Sequence, residues 1–165
     1  MKTNLQLRLS SIILASLLYI SYILLMFERL FFDIVEYLLG KDGYGFSTEI
    51  SEKMVELKPR RYTSREVIGV LRNRPMFKHA QSKDKRAGIR WRLDLLALSR
   101  YFETKSYINR AEDRGIYDSM RELKWRQIYQ TIAVLQNLMT KMADGTELDP
   151  PTIDETYEAL ATLWS

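Results

Sequence analysis

His79 is the chain's one imidazole, and there is no cysteine. These two facts remove most of the chemistry a sequence can advertise. Without thiols there is no disulfide framework, thiolate zinc site, iron–sulfur cluster or cysteine nucleophile. With one histidine there is no H-E-x-x-H pair and no facial triad. No G-x-S-x-G, G-x-x-x-x-G-K-[ST] or G-x-G-x-x-G occurs either, so neither a nucleophile elbow nor a phosphate-cradling loop is indicated. Acids at Glu103, Glu112, Asp113, Glu147 and Asp149 are of the type that does acid–base work or binds hard cations. Arg110 and Arg114 bracket the middle pair, and Lys105 follows Glu103, which reads as a salt-bridged, solvated face. His79, in a basic polar stretch, reads as an ordinary exposed side chain. No catalytic, metal-ligating or cofactor-binding residue is expected, and no cofactor. The expectation is a protein that is not an enzyme.

Charge distribution carries more information. Residues 58–92 hold twelve basic side chains against two acids, Glu66 and Asp84, for a net +10. The rest of the chain, with thirteen bases and nineteen acids, carries −6, which brings the total to the formal +4. Acids elsewhere in the chain cannot fully neutralise the block, so a basic surface is expected to stay open. Its anion-contacting residues are Arg60, Arg61, Arg72, Arg74, Lys78, Lys83, Lys85, Arg86, Arg90 and Arg92. Arginine outnumbers lysine in the block, and its planar fork suits carboxylates and phosphates. Three partners fit: an acidic surface of another protein subunit, anionic lipid headgroups, or nucleic acid. Tyr62, Phe77 and Trp91 give the last some stacking capacity. "TSREVIGVLRNRP" resembles one helix of a helix-turn-helix, but no recognition helix follows it. Trp91 is expected to face a core, with Arg90 and Arg92 turned toward solvent or a partner.

These residues must be held by elements, and the pattern is helical. "LSSIILASLLYISYILLMF", residues 9–27, contains no charge. Nineteen helical residues reach about 29 Å, close to the ~30 Å hydrocarbon core. Its hydroxyls can bond back to carbonyls one turn earlier. A cleaved signal peptide is the rival reading, but no A-x-A-like site follows the run. Residues 28–40 carry one apolar stripe, Leu30, Phe31, Ile34, Val35, Leu38 and Leu39. That suits a helix at the headgroup level, one entering a partner's groove, or one packed on the chain's own soluble domain.

Beyond Gly40, helices are expected over residues 48–58, after a Thr63/Glu66 capping box, over residues 89–110, and over residues 116–143. Residues 78–88 read as a polar connector. The fourth helix carries Trp125, Ile128, Ile132, Leu135, Met139 and Met142 at alternating spacings of three and four, an a/d heptad seam. This helix interface is expected to be the core face of a bundle, with a homodimer seam as the alternative. A last helix, capped by Thr152 and Glu155, would bury Ile153, Tyr157, Leu160, Ala161 and Trp164.

The expected fold is all-α: one N-terminal transmembrane helix, then a small helical bundle. Residues 1–40 form the anchor and residues 41–165 the soluble domain. Lys2 and Arg8 before the anchor balance Arg29 and Lys41 after it, and the basic block from Lys58 leans the domain toward the cytoplasmic side. The expected function is a non-catalytic, membrane-anchored subunit or adaptor of a membrane-associated assembly. The alternative is a membrane-tethered nucleic-acid-binding protein.

Overall fold

The computed structural model describes residues 2–59, 61–82 and 88–163, with side chains from residue 11 onward. Seven helices and three short strands occur among the described residues. The chain is predominantly helical, and its first helix is long and apolar enough to span a membrane.

Helix α1 (Lys2–Leu39) is continuous over 38 residues and changes role partway. From Ile12 to Leu25 nearly every side chain is exposed, although most are large and apolar. Ser16 Oγ donates to the Ile12 carbonyl at 2.8 Å, so that hydroxyl is satisfied within the helix. From Leu30 onward the same helix is the spine of the core: Leu30, Phe31, Ile34, Val35 and Leu38 are fully buried. Residues 30–39 therefore share one core with the elements that follow.

The helix ends where Gly40 N–H donates to the Glu36 carbonyl and Gly43 N–H to the Leu38 carbonyl. Strand β1 (Tyr44–Phe46) and helix α2 (Ser47–Leu57) follow. Helix α3 (Ser64–Asn73) starts at the predicted capping box: Thr63 Oγ1 accepts from Glu66 N–H, and Thr63 N–H donates to Glu66 Oε2 at 2.8 Å.

The stretch read as a connector contains strand β2 (Phe77–His79), and the start of the predicted 89–110 helix is strand β3 (Arg90–Leu93). The antiparallel sheet has the order β1-β3-β2 and aligns Gly45, Trp91 and His79 across its three strands. "RWRL" is a four-residue alternation in which Trp91 and Leu93 point inward. Trp91 and Leu95 are also four apart, which mimics a helical stripe. Asp94 settles the boundary by capping helix α4 (Leu95–Lys105), its carboxylate accepting from Ala97 N–H at 2.9 Å. Ser106, with φ 55°, closes that helix, and α5 (Ile108–Asp113) is a separate short one.

Helix α6 (Ile116–Ala143) and helix α7 (Pro150–Leu163) form an antiparallel hairpin. Helix α7 begins two residues before the predicted Thr152 cap, with proline at its first position. Thr152 is thereby drawn inside the helix and buried, and Lys141 Nζ donates to its hydroxyl at 2.7 Å.

An aromatic cluster fills the core around Phe31. Phe32, Phe77, Tyr101 and Phe102 surround it edge-on at 5.4 to 6.2 Å, and Phe32 stacks on Phe102 at 5.7 Å. One carboxylate is buried beside this cluster. Asp33 accepts from Tyr62 Oη at 2.7 Å and Arg114 Nη2 at 2.9 Å, with Lys58 Nζ at 3.6 Å. These partners come from two separate parts of the chain, the α2–α3 connection and the turn just before α6, and tie the later helices to the spine.

Candidate interaction surfaces

The structure divides the predicted basic surface into side chains used internally and side chains left outside. Arg74 donates to the Tyr101 hydroxyl and lies over the Phe31 ring at 5.4 Å. Arg90 stacks on Tyr44 at 4.4 Å, pairs with Glu158 at 2.9 Å and donates to the Gln81 carbonyl at 3.0 Å. Arg92 Nη1 donates to the Ala161 carbonyl at 2.8 Å. The expectation that Arg90 and Arg92 point away from the protein is thus corrected: both hold α7 against the sheet. The reason is electrostatic. Helix α7 carries Asp154, Glu155 and Glu158 and no base, and it lies across the two strand arginines.

Arg61, Arg72 and Lys78 are exposed and form no ion pair among the described residues. Arg60, Lys83, Lys85 and Arg86 lie outside the described residues. Arg29, which was not among the expected anion-contacting residues, lines one niche with Arg61. The two arginines share it with Tyr22, Leu25, Met26 and Tyr62, at the level where α1 passes from its exposed apolar half into the core. On another side of the helix at this level, Tyr107 donates to Glu28 at 2.7 Å and Arg110 pairs with it at 2.5 Å. Charge near Glu28 and Arg29 was visible in the sequence. Its encirclement by Arg61 and Arg110, 32 and 81 residues downstream of Arg29, was not.

The heptad seam of α6 shows the largest departure. Trp125 is 56% exposed, Ile132 45%, Met139 68% and Met142 62%, while Ile128 and Leu135 are half-buried. The expectation of a core face is corrected: the buried row of α6 is Ile116, Met120, Leu123, Gln127 and Thr131. Residues 127, 131 and 134 turn to the core and α7, and the seam lies about 100° further round the helix.

Polar contacts hold α7 in place. Thr131 Oγ1 donates to the Ala159 carbonyl at 3.3 Å, Lys124 Nζ to the Leu163 carbonyl at 2.6 Å, and Tyr44 and Thr162 share a hydrogen bond at 2.6 Å. Burial lowers Lys124 below the ordinary lysine range, while Asp94 acts in the opposite direction. The predicted stripe of α7 is also outside: Ile153 is 41% and Tyr157 71% exposed, and the buried residues are Thr152 and Thr162. Trp164 lies outside the described residues. Gln130, Val134, Glu155, Glu158 and Thr162 line a groove on one flank of the hairpin. By helical phase, the seam, Ile153 and Leu160 occupy the other flank.

Helix α6 also has a direction. Arg114, just before it, pairs with Asp33 and Glu36, and Arg126 pairs with Asp42 and donates to the Leu39 carbonyl. It therefore follows α1 away from the exposed apolar half and continues past its end. From residue 126 to 143 the overshoot is about 26 Å at ~1.5 Å per residue.

His79 is exposed and packs edge-on against Trp91 at 4.5 Å. It lines a cleft of about 350 Å³ with Arg92, Asp154, Tyr157 and Glu158. No group of three metal-ligating side chains is found among the described residues.

No family model, curated protein or solved structure matches this chain.

Proposed function

We propose that the chain is a non-catalytic, membrane-anchored subunit or adaptor, mounting an apolar helix pair on a lipid-embedded spine. The observation that supports this best is the seam of α6. It is exposed along a helix that runs away from the apolar half of α1, so lipid of the same membrane does not cover it. A solvated helix ordinarily shows charge there, and residues 127–140 contain none. Membrane insertion through residues 9–27 would put Arg29, Arg61 and Arg110 at the headgroups. Each basic side chain there contributes about 1 kcal/mol toward an anionic surface. Tyr22, Tyr62 and Tyr107 at the same level fit an aromatic belt.

The test is purification of the full chain from its native membrane in mild detergent. A complex of fixed stoichiometry is expected, lost on Ile132→Asp with Met139→Asp. A chain recovered only as a monomer overturns the reading. The headgroup contact is tested with Arg29→Ala and Arg61→Ala together, by tryptophan fluorescence of the full chain in vesicles of neutral or anionic lipid. The natural chain is expected to prefer the anionic vesicles, and the variant to lose that preference.

A further inference from the structure

We propose that the occupant of the α6 seam is a second copy of this chain, packed in parallel and in register about a twofold axis along the membrane normal. The inference rests on the docking reading above and names the partner. The spine supplies the first argument. Two copies inserted through α1 in the same orientation present their α6 helices at the same height and pointing the same way. Their seams then meet in parallel, and every residue faces its own counterpart.

Such packing is intolerant of charge, because any ionised side chain on the contact would face a like charge. The seam satisfies this condition. From Gln127 to Thr140 there is no Asp, Glu, Lys or Arg, although most of the stretch outside the α7 contact is exposed. A distinct partner would ordinarily be specified by charges at the e and g flanks. Here the e positions are Tyr129, Gln136 and Ala143, and the g positions within the seam are Thr131 and Leu138.

Residue types at the seam agree with this geometry. With Trp125, Ile132 and Met139 at a, and Ile128, Leu135 and Met142 at d, the two middle layers are Ile132 at a and Leu135 at d, the combination that favours parallel two-stranded packing, while Ile128 at d adds nothing to a two-stranded preference. The methionines at the far end adapt to a less regular contact. Helix α7 backs each α6, so the pair would close as a four-helix arrangement with Ile153 and Leu160 at its margins. Two and a half heptads are short for association in dilute solution. Confinement of both copies to one membrane raises their effective concentration, which offsets the short seam.

The absence of cysteine makes a direct test clean. Single substitutions Ile132→Cys, Leu135→Cys and Met139→Cys are placed on the seam, and Ala133→Cys on the opposite face. The full chain is reconstituted in vesicles and treated with mild oxidant. Facing a and d positions of a parallel pair bring Cα atoms within disulfide range, roughly 4.4–6.8 Å. Disulfide-linked dimer is expected at the three seam positions at least tenfold faster than at 133. Mixing Trp125→Cys with Met142→Cys chains should give almost no mixed disulfide. Equal rates at 132 and 133, no dimer at any seam position, or efficient 125–142 linkage each overturn the proposal.

Maleimide labelling of Met139→Cys in native membranes separates this failure from that of the underlying reading. A thiol protected there without forming homodimer means another protein covers the seam: the docking reading stands and the second copy does not. A freely labelled thiol overturns both. Near-UV circular dichroism matching that of the natural chain verifies that each variant is folded.

Discussion

Asp33 gives the sharpest test of how the later helices are fastened to α1. It is 6% exposed and depends on Arg114, Tyr62 and Lys58 for compensation. Arg114→Met keeps an apolar stem over the Phe32 ring, where the guanidinium now sits at 5.2 Å, and removes the charge. Removing one partner of a buried pair costs roughly 3–5 kcal/mol. Two features reduce that here. The Arg114 side chain is 33% exposed, so its attraction is partly screened. The Tyr62 hydroxyl and Lys58 remain within reach of the carboxylate. The expected loss is therefore about 2–3 kcal/mol, below the full range for a buried pair. It is measured by urea unfolding of the full chain in mild detergent, followed by tryptophan fluorescence, in which buried Trp91 reports core integrity. Asp33→Asn should destabilise the natural chain. In the Arg114→Met background it should recover about 1 kcal/mol or more, because a neutral amide needs no countercharge. The reasoning is refuted if Arg114→Met costs under about 1 kcal/mol, or if Asp33→Asn deepens the loss in that background.

Gly45→Ala should cost about 1–3 kcal/mol of stability through overpacking, read as a lower urea midpoint. A Cβ there would stand 3.0 Å from Leu38 Cδ2 and 3.1 Å from Ile50 Cγ1. At alkaline pH two phenols should resist titration until the fold opens. Burial, and then the hydrogen bond to Glu28, pushes Tyr107 up to about 12; burial and Asp33 raise Tyr62 likewise. Since these folded-state values lie above the unfolded one, their contribution is complete below about pH 10 and is lost as pH rises through about 12. Absorbance at 295 nm should show this lag, and all ten tyrosines titrating together near pH 10 would contradict it. Arg90→Ala with Arg92→Ala should loosen α7, whose buried residues are threonines. Amide exchange over residues 150–163 should accelerate at least tenfold with residues 30–39 unchanged, and uniform acceleration would argue for global destabilisation instead.

Much of the fold was legible because it follows from local physics. The uncharged run in α1, the Thr63/Glu66 cap, the stop after Leu57 and the burial of Trp91 all follow from composition and short-range spacing. The strand "RWRL" was missed because four residues of alternation are too few to stand out from a helical stripe that continues into Leu95. Its sheet partners, Tyr44–Phe46 and Phe77–His79, are equally short, and only their mutual pairing makes them strands. The arginine positions were legible as charge but not as geometry. Arg74, Arg90 and Arg92 are occupied by Tyr101, Tyr44, Glu158 and Ala161, residues up to 69 positions away.

The amino-acid sequence by itself determined most of the helical segments, how long the apolar half of α1 is, and that a 3–4 spaced apolar row lies on α6. Those properties depend on backbone preference and on periodicity along one element. Only the tertiary structure decided which face of each element is covered. Helix α6 buries Gln127 and Thr131 and leaves Trp125, Ile132 and Met139 outside, because α7 is held by threonine hydroxyls, carbonyls and two strand arginines instead of by its own apolar stripe. Burial is a property of a pair of surfaces, and the polar latch that sets this pairing joins residues far apart in the chain. That choice turned a row expected to build the core into an exposed apolar surface.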